Sequence, residues 1–495
     1  MMSMAKKKTN NIIIMAAIVA ALIGIFIVIN VINKEEAIET EDFTYPITTL
    51  KSGQIESIVY DYKDGSHAYI KNVDGTWYNG DDMDFPFSSD GFESQFVEEF
   101  VGITATKKIT EYEGGLEALG LKEPELTVTV TGKNSLSTTY KLGNYNPTMK
   151  LYYIMINDDD KNIYMVSDDL AYICRPDIYD YASIDSFPGY NTDTLDYIEF
   201  TTGSSSSKLY YKKDSSKEDI TGFEWNWFFG EPFSRLMPCE SSKMETLQED
   251  VLQKFAYSKT INYKAAEEEM AEYGLDNPRG SYSIYCDVKD ENGNITDKAS
   301  ITVYIGNLNS EAGGYYTREI KTVGLTQEKS SVVRIMETAG AEAVMGINPL
   351  NYILQNVLFL SINDIDGSYI TFNNGENDYT FSFEGGDADT TDDDIYRQGD
   401  KEIDDKAFRD LWYQMTCIAP ERIITEKTST EALDAVYTIF SARNKDDYYG
   451  NITVRYIKYD ATYYQVEING ITDMLMRKKE VDDFFKALTE FAESN

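Results

Sequence analysis

The sequence predicts an α+β protein: an N-terminal transmembrane helix followed by about three repeated units of antiparallel sheet plus helices. Three observations predict it. An uncharged apolar run occupies Ile12 to Ile32, one succession of alternating strands and apolar-faced helices recurs three times between residues 53 and 495, and the chain carries 38 Tyr beside 23 Phe and 4 Trp. Tyrosine at that level suits half-exposed sheet faces, where one end of the ring is apolar and the other wet.

The apolar run is 21 residues long, with Gly24 as its weakest helical position. At about 1.5 Å per residue such a run spans the roughly 30 Å hydrocarbon core, and in lipid a helix satisfies its own backbone polar groups. Lys6, Lys7 and Lys8 precede it. By the positive-inside rule, residues 1–10 form a cytoplasmic N-terminus, 11–33 a transmembrane anchor, and 34–495 lie outside the cell membrane in a single-pass arrangement, with the lipid bilayer a partner of residues 12–32. A cleaved signal peptide is the rival reading; its apolar core is usually about 7 to 15 residues and ends in a small-residue cleavage site. Asn33-Lys-Glu-Glu-Ala37 offers no such site. Residues 34–52, polar and broken by Pro46, read as a linker.

Acidic residues outnumber basic ones by 84 to 45, a formal charge of −39. Nucleic acid, which needs the opposite sign, is excluded as a partner class. Cys174, Cys239, Cys286 and Cys417 form no CxxC and are widely spaced. They allow three pairings between which spacing cannot choose, and buried unpaired thiols are the favoured expectation.

The repeated units are predicted at residues 53–190, 191–361 and 362–495, the last a degenerate copy. Each opens with a half-buried strand: Ile55 to Tyr60, Leu195 to Phe200 and Tyr369 to Phe372. A second strand follows a turn at His67 to Ile70, Lys208 to Tyr211 and Tyr379 to Phe383, and then an aromatic residue at Trp77, Trp227 or Tyr396. The period next becomes helical. Phe92, Phe96 and Phe100 share one face, as do Met244, Leu247, Val251 and Phe255, and likewise Phe408, Leu411, Met415 and Ile418. Asp90 with Glu93, Ser242 with Glu245, and Asp404 or Asp405 supply cap signals. All three end in similar short segments, Thr106 to Ile109, Ser258 to Ile261 and Pro420 to Ile423.

The strongest marks of repetition come next. Leu119-Gly120-Leu121-Lys-Glu-Pro124 matches Tyr273-Gly274-Leu275-Asp-Asn-Pro278, a stop and turn in which Gly permits a positive φ and Pro blocks further helix. Gly143-Asn144 and Gly306-Asn307 follow on strands, and a Tyr pair begins nine residues beyond each glycine, Tyr152-Tyr153 and Tyr315-Tyr316. The third unit keeps Tyr463-Tyr464 but has Glu431 to Asp434 where the turn motif would stand. A strand and a helix close each unit, as in Ile163 to Val166 before Asp168 to Tyr172, and Met474 to Met476 before Val481 to Phe491.

The paired turn, glycine and Tyr-Tyr motifs resemble a broad bacterial family of uncharacterised, membrane-anchored repeat domains with a Tyr-Gly-Leu-x-x-Pro turn. Those proteins are encoded beside ABC-transporter subunits of the gliding-motility or exporter type. The resemblance covers most of residues 50 to 360. It implies an accessory role at the outer face of a transport complex, with the transporter's membrane subunits as partners. The family has no agreed activity or catalytic residues, so none is carried over.

Read for chemistry, the chain shows little. His67 is the sole histidine, which removes His-based triads and His-rich metal sites. There is no Gly-x-Ser-x-Gly elbow, Walker loop or Rossmann fingerprint. Acidic stretches at Asn157 to Asp160, Asp287 to Asp297 and Asp387 to Asp394 lack the full EF-hand register and read as solvated turns. No catalytic, cofactor-binding or metal-binding residue is assigned, and no cofactor is called for. The tyrosine pairs could stack on sugar rings, although adjacent strand residues face opposite ways and one of each pair belongs to the core. The expected function is therefore a membrane-anchored extracytoplasmic binding or scaffold protein, a non-enzymatic accessory subunit of an ABC-type transport complex. The alternatives are a cell-wall glycan-binding surface protein and a carboxylate-dependent hydrolase using an Asp/Glu pair.

Overall fold

A computed structural model describes residues 44–217, 224–250, 252–356, 369–384, 394–424, 430–431, 433–442 and 451–495. By its contacts the chain divides into two compact units, meeting in sequence between Ala182 and Ser183.

The first unit holds an eight-stranded antiparallel sheet. From edge to edge it runs Thr76–Asn79, His67–Val73, Ile55–Tyr62, Leu126–Gly132, Ser137–Asn146, Leu151–Ile156, Ile163–Val166 and Lys107–Ile109. Three strands meander from the centre to one edge. The chain then crosses back through helical turns, lays a short strand at the far edge, and fills the space between with four more strands. A two-stranded ribbon, Tyr45–Pro46 with Thr104–Ala105, lies beside it.

The second unit holds two sheets with the same strand order. In one, the central strand Leu195–Thr202 pairs with Ser205–Lys217 on one side and Gly280–Lys289 on the other, and Tyr257–Asn262 closes the far edge against Val333–Glu337. In the other, Tyr369–Asn373 lies between Asp378–Glu384 and Ala435–Ala442, and Arg422–Ile423 closes against Ile471–Arg477. One apolar core runs through both sheets and takes in Met244, Leu247, Val344, Phe408, Phe484 and Phe485 from their helices. Asn356 Nδ2 also bridges to the Thr416 carbonyl at 3.0 Å.

The crossing segment of the first unit shows how sequence spacing becomes packing. Phe92, Phe96 and Phe100 are fully buried and stack in line, 5.0 Å and 6.0 Å apart, and Tyr60 of the sheet stacks on Phe96 at 6.0 Å. The segment is not one regular helix. A wider π turn at Glu93–Val97 separates helical turns at Ser89–Phe92 and Glu98–Gly102. Glu93 caps nothing here; its carboxylate accepts the Trp77 indole N–H. Asp404 does cap its helix, accepting from Ala407 N at 2.7 Å. Val251 of the second apolar face lies outside the described residues.

Two expectations need correction. The chain is not α+β but mostly β: among the described residues strands hold 44% and helices 22%, in four antiparallel sheets. The helical pieces are short covers on large sheets, and the strands outrun their apolar alternation. Ser205–Lys217 and Ile295–Asn309 continue through Ser, Lys, Thr and Asp because paired neighbours satisfy their backbone. The second correction concerns the single-pass membrane placement. No helix among the described residues is long and apolar enough to cross a membrane. The run Ile12 to Ile32, with the expected anchor 11–33 around it, lies outside the described residues. The described residues thus give the single-pass membrane placement no support.

Candidate functional site

The two copies of the turn motif prove to be locks. Gly120 and Gly274 adopt φ of +71° and +70°, which side chains rarely allow. Each turn closes on itself, Leu121 N bonding Leu116 O at 2.9 Å and Leu275 N bonding Met270 O at 2.8 Å. Each then seats on the glycine-asparagine pair of a strand. Asn144 N donates to Leu119 O and Asn307 N to Tyr273 O, both at 2.8 Å. A Cβ on Gly143 would stand 2.3 Å from Leu119 O, and one on Gly306 the same distance from Tyr273 O. The glycines let two backbones touch. Beyond Pro124 and Pro278, Glu125 N and Arg279 N rejoin the sheet by donating to Leu142 O and Ile305 O at 2.9 Å and 2.7 Å.

The tyrosine pairs divide between two faces. Tyr152, Tyr315 and Tyr464 pack on the main core, whereas Tyr153, Tyr316 and Tyr463 join small clusters on the opposite face, with Leu121, Leu275 and Ile424 respectively. Alternation along a strand dictates this split. Tyr153 and Tyr316 hydroxyls also accept from Asn146 Nδ2 and Asn309 Nδ2 at 2.7 Å and 2.8 Å. All six rings are buried or half-buried.

Turns in two of the acidic stretches use carboxylates locally, and residues 387–393 of the third lie outside the described residues. Asp159 accepts from Lys161 N at 3.1 Å and Asn162 Nδ2 at 2.6 Å; Asp290 accepts from Asn292 N and Asn294 N at 2.9 Å and 2.8 Å. Among the described residues no three His, Cys, Asp or Glu are grouped to hold a metal. All four cysteines are free, Cys174 and Cys239 buried, Cys417 exposed.

Three features carried no sequence motif. In the second unit, buried Arg334 and Glu319 meet at 3.8 Å; Tyr257 donates to the same Glu319 oxygen at 2.7 Å, and Asp185 completes the network through Arg334 Nη2. The only hint was Thr317-Arg-Glu319, polar residues where apolar alternation lapses. Removing one partner of such a buried pair costs more than the intact pair adds, because it strands an uncompensated charge. In the first unit a cavity of about 220 Å³ opens between Tyr60, Tyr62 and the segment Cys174 to Ile178. In the third sheet a cavity of about 320 Å³ lies against the C-terminal helix Lys478–Ser494.

That last cavity has a titratable edge. Tyr437 and Tyr464 donate to one oxygen of Asp482, at 3.0 Å and 2.8 Å. Burial first, then the bond to Asp482 and its charge, push the Tyr437 hydroxyl up to about 12 and raise Tyr464 as well. An unfolded tyrosine titrates near 10, so the folded value lies above the unfolded one. The resulting stabilisation is complete below pH 10 and is lost as pH rises through about 12. The difference in tyrosinate absorbance between the chain and its Tyr437→Phe variant is expected to place the Tyr437 ionisation near 12, and Asp482→Asn should lower that midpoint; a difference centred near 10 in the folded chain would contradict the geometry.

The fold and these sites define a multi-sheet antiparallel β protein whose recurrent motifs are backbone locks and packing pairs. Residues 77–278 match the model of a domain of unknown function, DUF4340, from Trp77 in the first sheet to the proline closing the second turn motif. No curated protein matches the chain.

Proposed function

We propose that the chain works by binding, as a scaffold and accessory subunit of an ABC-type transport complex, and that it touches its partner through the turn joining the strands Gly314–Val323 and Thr326–Lys329. The transport assignment draws on the resemblance of the turn and Tyr-Tyr motifs. The observation that carries the binding reading is an apolar tip on a strongly acidic chain. Leu325 is fully exposed at 106%, with Val323 at 51% and Ile295 at 58%. Gly324 N bonds Lys298 O at 2.9 Å, so the turn sits beside the strand that starts at Ile295. Large side chains left in water at one strand end mark a contact surface.

The strand Thr326–Lys329 continues from that tip. It pairs with Ile320–Val323 and is exposed throughout. Its outer edge offers backbone groups for an added strand. With a net charge of −39, the chain favours an extended partner segment that is apolar at its centre and basic at its flanks. All six tyrosine rings are buried or half-buried, which favours a protein contact over a glycan.

A photo-crosslinker at position 325 in cells tests this, with one at exposed Leu136 as the control. Transport-complex subunits are expected at 325, reduced at least tenfold when Val323→Asp is added. Recovery of no such subunit at 325 would overturn the assignment.

A further inference from the structure

We propose that the cavity in the first unit binds a small organic cation, a primary ammonium or guanidinium group on a short apolar stem. This inference stands independently of the transport reading. The cavity, about 220 Å³, lies between the hairpin strands Ile55–Tyr62 and His67–Val73 and the loop that follows Cys174.

Its walls are aromatic and fixed. The Tyr60 and Tyr62 rings stand edge to face with centroids 6.4 Å apart. Their hydroxyls are pinned across the gap, Tyr60 donating to Pro176 O at 3.1 Å and Tyr62 to Ala171 O at 3.5 Å. The floor is apolar, with Ala68 and the fully buried Cys174. Burial pushes the Cys174 thiol up, so it adds no charge.

The rim carries Asp64 and Asp177, and both carboxylates are held in place. Asp64 accepts from Ser66 N at 2.8 Å, and hydrogen bonds from Ser66 hold it below the usual carboxylate range. Asp177 accepts from Tyr179 N at 2.6 Å. Of the basic groups at the rim, Arg175 lies over the Tyr172 ring at 6.0 Å. His67 sits between two further carboxylates, with Nδ1 2.5 Å from Asp61 and Nε2 3.8 Å from Asp81. The lining sets Asp64 and Asp177 against Arg175, and His67 at the mouth is itself flanked by Asp61 and Asp81, so carboxylates outnumber the basic groups there. A cavity with aromatic walls, an apolar floor and carboxylates at its mouth selects a cation with an apolar body.

The cation can be a free metabolite or a Lys or Arg side chain of a partner protein. The single histidine makes both testable. In an untagged full-length chain, the His67 imidazole resonances report the cavity mouth without ambiguity. Titration at pH 7 and constant ionic strength with n-butylammonium or n-propylguanidinium is expected to give a saturable shift, and butyrate none. Asp64→Asn with Asp177→Asn should weaken binding at least tenfold; asparagine keeps both local hydrogen bonds, and an unchanged thermal midpoint verifies folding. A lysine peptide and its Nε-acetyl form distinguish the sources. Saturation by the free amines supports a small-molecule ligand, and saturation by the lysine peptide alone supports a partner side chain. No saturable response to amine, guanidine or peptide, or an equal response to butyrate, overturns the proposal.

Discussion

Phe96→Ala is expected to destabilise the first compact unit by about 3–5 kcal/mol, the usual cost of truncating a buried aromatic residue. Phe96 is the middle ring of the ladder, with Phe92 at 5.0 Å, Phe100 at 6.0 Å and Tyr60 stacked at 6.0 Å. Its removal opens a cavity between helical cover and sheet that no exposed side chain can fill. Because the second unit has its own core, only part of the thermal transition should move. Phe96→Leu keeps much of the volume and should cost about 1.5 kcal/mol or less. A loss under about 1 kcal/mol for the alanine variant would mean that the ladder does not hold the crossing segment to the sheet.

Gly306→Ala should cost the second unit about 3 kcal/mol, the upper end for overpacking. The new methyl would meet a main-chain oxygen, Tyr273 O, at 2.3 Å, and that oxygen already accepts from Asn307 N at 2.8 Å. A flexible side chain could turn aside, but a hydrogen-bonded carbonyl cannot. Gly189→Ala, with nothing within 4 Å, serves as the control and should leave the midpoint unchanged. Equal behaviour of the two variants would show that the turn and the strand are not locked together.

These two sites also show what was legible beforehand. The three phenylalanines announced a buried face by their spacing alone, because apolar periodicity is a local property. The wider turn at Glu93–Val97 left no such trace, since it arises from fitting rings to a sheet rather than from propensity. The turn motif and the glycine-asparagine pair were each visible in two copies. Their function as opposite halves of one contact was not, because Gly120 and Gly143 meet only when the intervening strand folds back. The α+β expectation failed for a related reason: short helices declare themselves by clear periods, whereas polar strands such as Ser205 to Lys208 do so only through their partners. The cavity of the first unit was invisible for the same cause. Its walls come from residues 60–68 and 174–178, more than a hundred positions apart, and no motif joins them.

Hydrogen exchange on the whole chain, alone and in its native complex, tests most directly whether the locks are structural and the tip is the contact. Slower exchange confined to residues 319–329 on complex formation, with the turns at 119–124 and 273–278 unchanged, is the expected result. Protection at those turns, or none along 319–329, would contradict it.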